Sequence, residues 1–126
     1  MRSVYNNRSS VRTAAVSKTL DTVLDTAFKI QQRKPPIVGM PNITWHNDGS
    51  GDFYVDIDGD KDRGFYAQVL EDGWSLSTND SQLKRLPKFL YADIFEGNDG
   101  RMYASDANSV IKAIAQLEEQ ILDLLM

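Results

Sequence analysis

Between Ile43 and Leu76 the large apolar residues fall on alternate positions: Ile43 and Trp45, then Phe53, Val55 and Ile57, then Phe65, Ala67 and Val69, then Trp74 and Leu76. Successive side chains of an extended chain point to opposite faces, so this alternation predicts strands with one buried side. Turn-forming residues divide the run into four strands and set their register. Gly49-Ser50-Gly51, as a three-residue loop, places Trp45 opposite Val55 and Ile43 opposite Ile57. Asp60-Lys61-Asp62, flanked by Gly59 and Gly64, is expected to set Ile57 opposite Phe65. Asp72-Gly73 reads as a two-residue type I′ turn that brings Val69 opposite Leu76. All three connections keep the apolar residues on one side, as they must, because a slip of one residue turns a whole strand over.

On either side of this meander the period changes. Val16, Leu20, Val23, Ala27 and Ile30 recur at spacings of four and three, widened by Leu24 and Phe28, which predicts an amphipathic helix from Val11 to about Gln32. Lys29, Arg33 and Lys34 suit the negative end of that helix, and Pro35-Pro36 stops it. Near the carboxyl end, Ala107, Val110, Ile114, Leu117, Ile121 and Leu124 form a heptad-like seam with Ile111 and Leu125 on its flank. With Ser105 as N-cap and Asp106 in the first turn, a helix is expected from about Asp106 to Leu125. Its seam either packs on the sheet, the favoured reading, or pairs with a second copy as a homodimer.

Residues 79–104 are harder to place. Pro87 breaks continuity, 88–95 suits either a strand or a short helix, 96–100 is a turn, and Arg101 to Ala104 suits a short edge strand. Four strands spaced about 4.8 Å apart span roughly 19 Å, the width of two helices packed about 10 Å apart. The expected architecture is α+β: a two-layer sandwich of an N-terminal helix, a four- to five-stranded antiparallel meander and a C-terminal helix. Both helices lie on one sheet face. Residues 1–10 are expected as a mobile basic arm and 11–126 as a single domain.

Charge is unevenly spread. Residues 1–34 hold seven of the fourteen Lys/Arg but two of the eighteen Asp/Glu, so a segment of +5 precedes a body of -9. There is no cysteine, which excludes disulfides and thiolate metal sites. No apolar run suits a membrane span or a secretory signal, so the expected setting is the cytoplasm.

Candidate chemistry concentrates on the sheet face the helices leave open. The expected register puts Thr44, Asp56 and Tyr66 in one row and His46, Tyr54, Gln68 and Ser77 in the next. His46 is the sole histidine, and Tyr54 stands beside it as an orienting partner for proton transfer. No nucleophile and base pair is fixed by the sequence, so a solvated polar face is the favoured reading. Asp56, Asp58, Asp60 and Asp62 alternate like the first half of a calcium-binding loop. A frame starting at Asp56 has Lys61 where glycine is required, one starting at Asp58 has Arg63, and position twelve falls on Ala67 or Val69 instead of Glu. No metal site and no cofactor is expected.

The function this favours is a small non-enzymatic protein–protein interaction protein: an inhibitor, adaptor or accessory factor of the size viruses and plasmids carry. It would offer an acidic sheet face including Asp56 and Asp58, or a helix, to a partner. One alternative is a single-stranded nucleic-acid binder that uses Arg2, Arg8, Arg12 and Lys18 on phosphates and Tyr54 and Tyr66 on bases. The acidic body opposes it. A further alternative is a small-molecule-binding domain or hydrolase built on the His46 row.

Overall fold

A computed structural model describes residues 14–32, 37–49, 51–70, 72–91 and 107–126, with side chains of the first segment from Leu20 onward. Helix α1 (Ala14–Gln32) is followed by strands β1 (Ile43–Asn47), β2 (Phe53–Ile57), β3 (Asp60–Val69) and β4 (Gly73–Ser77). A 3₁₀ turn (Leu83–Arg85), strand β5 (Phe89–Tyr91) and helix α2 (Ala107–Leu125) complete the order. The five strands form one antiparallel sheet in chain order. Leu20, Leu24, Ala27 and Phe28 of α1 and Val110, Ile114, Leu117 and Ile121 of α2 join the inward residues of β1 to β4 in a single core. Both helices therefore cover the same sheet face, and the α+β sandwich is as expected.

The first hairpin keeps the expected register, with Ile43 opposite Ile57 and Trp45 opposite Val55. The next two do not. The β2–β3 turn is Asp58-Gly59, both residues at positive φ (53° and 78°), which is the backbone of a type I′ turn. Ile57 therefore faces Asp60, and after a register shift Phe65 faces Val55 instead of Ile57. At the β3–β4 turn Leu70 N–H donates to Gly73 O (2.7 Å), so Gly73 belongs to the strand. Val69 faces Trp74, and Leu76 faces Ala67 instead of Val69. Beyond the register shift the β2–β3 pairing lies two residues from the expected one, as does β3–β4, and an even slide keeps the paired apolar side chains on their expected face.

Packing of aromatic rings sets how α1 sits. Phe28 stacks on Trp45 with centroids 5.3 Å apart and meets Phe53 edge-on at 5.5 Å, while Phe53 meets Trp74 at 5.4 Å. This turns the buried stripe of α1 toward Leu24 and Phe28, leaving Val23 partly buried and Ile30 exposed, where the periodicity had placed both at the stripe's centre. In α2 the seam residues Val110, Ile114, Leu117 and Ile121 are all buried in this core, so the seam packs within the chain.

Polar groups pin the helices to the sheet. Trp45 Nε1–H donates to Glu118 Oε1 (2.9 Å), and Asp21 Oδ1 accepts from Gly51 N–H (2.9 Å). Gly51 has φ +80°, a conformation that strains other residues, and a Cβ there would stand 2.8 Å from Leu20 Cδ2, so glycine suits the point where the loop closes on α1. The segment from 79 onward resolves into a turn capped by Asp80, whose Oδ1 accepts from Gln82 and Leu83 N–H (2.8 and 3.1 Å), followed by β5. Of the two readings of 88–95, the strand is found at Phe89–Tyr91. The expected arm 1–10, the Pro35-Pro36 stop, the turn at 96–100, the edge strand at 101–104 and the cap at Ser105 lie outside the described residues.

Candidate functional site

On the face away from the helices, pairing brings His46, Tyr54, Tyr66 and Ser77 into one row across β1 to β4. Gln68, Ser75 and Phe89 form the neighbouring row, and Thr44 stands opposite Asp56. Tyr66 has therefore moved into the histidine row and Gln68 out of it, the direct result of the two-residue slides.

His46 Nε2 lies 2.9 Å from Asp56 Oδ2, and its ring stacks on Tyr54 at 4.5 Å and 11°. The carboxylate, not the tyrosine hydroxyl, is the hydrogen-bond partner that orients the imidazole. Asp56 is buried on the outer face at 8% exposure, and its Oδ1 has no partner among the described residues. Asp58 sits in the type I′ turn, off the sheet face, where Oδ1 accepts from Asn42 N–H (2.8 Å) and Oδ2 lies 3.4 Å from Arg63 Nη1. Asp52 is buried as well, with Oδ1 accepting from Val69 N–H at 2.7 Å. The expected carboxylate-bearing face is thus corrected. Asp52 and Asp56 each hold at least one carboxylate oxygen in a hydrogen bond, because a carboxylate beside an apolar sheet needs donors, and the exposed acids Asp58, Asp60 and Asp62 collect at the hairpin tip.

Tyr66 stands at the centre of the row. Its hydroxyl is shared between Asp48 Oδ2 (2.8 Å) and Asp52 Oδ2 (3.2 Å). Partial desolvation of the hydroxyl end of this otherwise exposed side chain, the bond to Asp48 and the two carboxylate charges hold the phenol protonated well above its ordinary range. Across the same loop, Asp21 is pushed up by burial, opposed by the Gly51 N–H bond, and pushed further by Asp25, Asp52 and Asp48. A cleft of about 340 Å³ opens beside the row, lined by Tyr54, Tyr66, Ser77, Lys61, Asp62 and Asn79 among others.

No protein-family model matches the chain, and no curated protein or solved structure matches it either. Function has to come from the site's own chemistry.

Sequence reasoning missed Phe89 and Tyr91, which the β4–β5 register sets on the outer face opposite Ser75 and Gly73. Their rings lie 6.4 Å apart, 37% and 66% exposed. The signal is the half-buried Leu90 between them, legible only once its opposition to Trp74 is known. Among the described residues no group of three or more His, Asp or Glu is placed to hold a metal ion, and no helix is long and apolar enough to cross a membrane. Arg2, Arg8 and Arg12 lie outside the described residues, as does the side chain of Lys18, which belongs to α1.

Proposed function

We propose that this chain is a non-catalytic binding protein that presents its outer sheet face to a protein partner, as an inhibitor, adaptor or accessory factor would. The observation that carries this is the aromatic content of a face both helices avoid: Tyr66, Phe89 and Tyr91 are exposed there, beside half-buried Tyr54 and His46. Aromatic side chains on a rigid sheet supply contact area at small entropic cost and recur as interface anchors. The exposed acids Asp58, Asp60 and Asp62 at the β2–β3 tip form a polar rim that favours a basic partner.

Two features weigh against the other readings. The carboxylates of Asp48 and Asp52 on the Tyr66 hydroxyl oppose a phosphate backbone laid across this face. His46 is hydrogen-bonded to Asp56, and among the described residues no serine or threonine hydroxyl is bonded to it as a side-chain nucleophile would be.

The test is affinity purification from the source cells with wild type, the Tyr66→Ser/Tyr91→Ser double variant and Asp58→Lys. A partner held by wild type should be lost from the double variant and weakened by the charge reversal. Equal recovery of that partner by all three proteins removes the outer face as the contact. Recovery of single-stranded nucleic acid, with affinity falling steeply in salt, would replace this reading by the alternative.

A further inference from the structure

A second site lies at the opposite side of the sheet edge. The edge of β1, unpaired by any other strand among the described residues, borders a cleft of about 470 Å³ whose walls include Gln31 from the last turn of α1, Met40 and Pro41 of the connector, Ile43, and Glu118 and Leu122 of α2. The bonds from Asp58 N–H to Asn42 O (2.7 Å) and from Asp48 N–H to Asp52 O (2.9 Å) fix which β1 groups meet β2. In an antiparallel ladder bonded and non-bonded pairs alternate, so the even-numbered residues face β2 while Ile43 and Trp45 direct N–H and C=O outward. Trp45 N–H is stoppered by Gln32 Oε1 at 3.4 Å. No hydrogen bond among the described residues reaches Ile43 from the open side, which leaves one unpaired rung on the cleft wall.

An independent observation points to the same place. Gln31 is 5% exposed, and its buried Oε1 has no hydrogen-bond partner among the described residues. A buried acceptor without a donor costs stability that an occupant carrying an N–H restores. Beside it the connector presents apolar surface to solvent, with Ile37 64% exposed.

We propose that this cleft binds a short extended peptide segment of a partner protein. The segment exchanges one N–H and one C=O with Ile43, donates a further N–H to Gln31 Oε1, and lays apolar side chains on Ile37, Met40 and Leu122. Only another backbone offers a donor and an acceptor at the spacing an antiparallel rung demands, which selects a peptide over other apolar ligands. The Gln32 stopper at Trp45 confines pairing to a single rung, so the segment is short. The site is independent of the outer face and stands or falls separately from it.

The test uses the full chain, ¹⁵N-labelled, titrated to millimolar concentration with acetyl-Lys-Val-Thr-Val-Lys-amide and, as control, acetyl-Lys-Pro-Thr-Pro-Lys-amide, which lacks two of the backbone donors. The valine peptide should shift the Ile43 amide and the Gln31 side-chain amide and slow hydrogen exchange at Ile43. In Gln31→Leu, a folded protein by its own spectrum, binding should weaken about fivefold, the worth of one hydrogen bond. Equal shifts with the proline peptide would mean apolar contact without a rung and overturn the proposal. So would shifts that leave Ile43 untouched, and so would no shifts at all.

Discussion

The indole N–H of Trp45 donates to Glu118 Oε1 at 2.9 Å, tying the edge strand to the last helix across 73 residues of chain. Trp45 is 4% exposed, so water cannot replace that acceptor without opening the aromatic cluster around Phe28 and Phe53. Glu118→Leu should cost about 1–2 kcal/mol in urea denaturation, whereas Glu118→Gln, which keeps an acceptor oxygen, should cost less. Equal losses for the two variants would show that charge, not the hydrogen bond, is what matters there.

The face assignments were legible in the sequence because alternation fixes parity, and both register corrections are even. The register was legible only in the first hairpin. Asp58-Gly59 carries the same two-residue signal as Asp72-Gly73, and only the folded chain shows which one forms the turn. Gly73 is glycine for a reason local sequence cannot reveal: a Cβ there would lie 2.3 Å from Leu90 O and 2.5 Å from the Phe89 ring, so β5 selects it. The candidate site inherited these errors. His46 and Tyr54 were neighbours on either reckoning, but Tyr66 joined them only after the slide, and the carboxylates that bind its hydroxyl come from the first hairpin, 14 and 18 residues away.

Gly64 marks the closest approach in the sheet. A Cβ at this position would lie 1.5 Å from the Val55 carbonyl oxygen, which is backbone and cannot turn aside. Gly64→Ala should therefore force β3 off β2 and destabilise the protein by about 3 kcal/mol or more, or prevent folding. Gly59→Asn is the matched control: its φ of 78° is one asparagine tolerates, and nothing lies within 4 Å. Its urea midpoint should stay close to that of wild type.

Asp21 gives a pH dependence whose sign follows from its raised pKa. Between its unfolded value, near 3.8, and the higher folded value, the native state holds more protons than the unfolded chain, so this group's contribution is full below 3.8 and is lost as pH rises through the folded pKa. Asp21→Asn keeps an oxygen for the Gly51 N–H and removes the repulsion from Asp25, Asp48 and Asp52. At pH 7 its melting temperature should rise by roughly 1–2 °C, a small gain because solvent screens these charges. The gain should vanish near pH 3. A variant less stable than wild type at pH 7 would mean the charged hydrogen bond outweighs the repulsion.

Tyr66 supplies the opposite end of the pH scale. Its phenol is raised above the ordinary value of 10.0 by burial and by the carboxylates of Asp48 and Asp52. Below pH 10 the phenol is protonated in both states, and the contribution is whole. Above it the unfolded chain gives up the proton first, so stability falls as pH rises toward the folded value. Ultraviolet titration should find a tyrosine that ionises above the ordinary range, and Tyr66→Phe should remove that late step. The same variant should flatten the alkaline loss of stability, at some cost in stability at neutral pH for the hydrogen bonds given up. Should the late step persist in Tyr66→Phe, another tyrosine carries it, and the hydroxyl shared by Asp48 and Asp52 is not what holds this part of the outer face together.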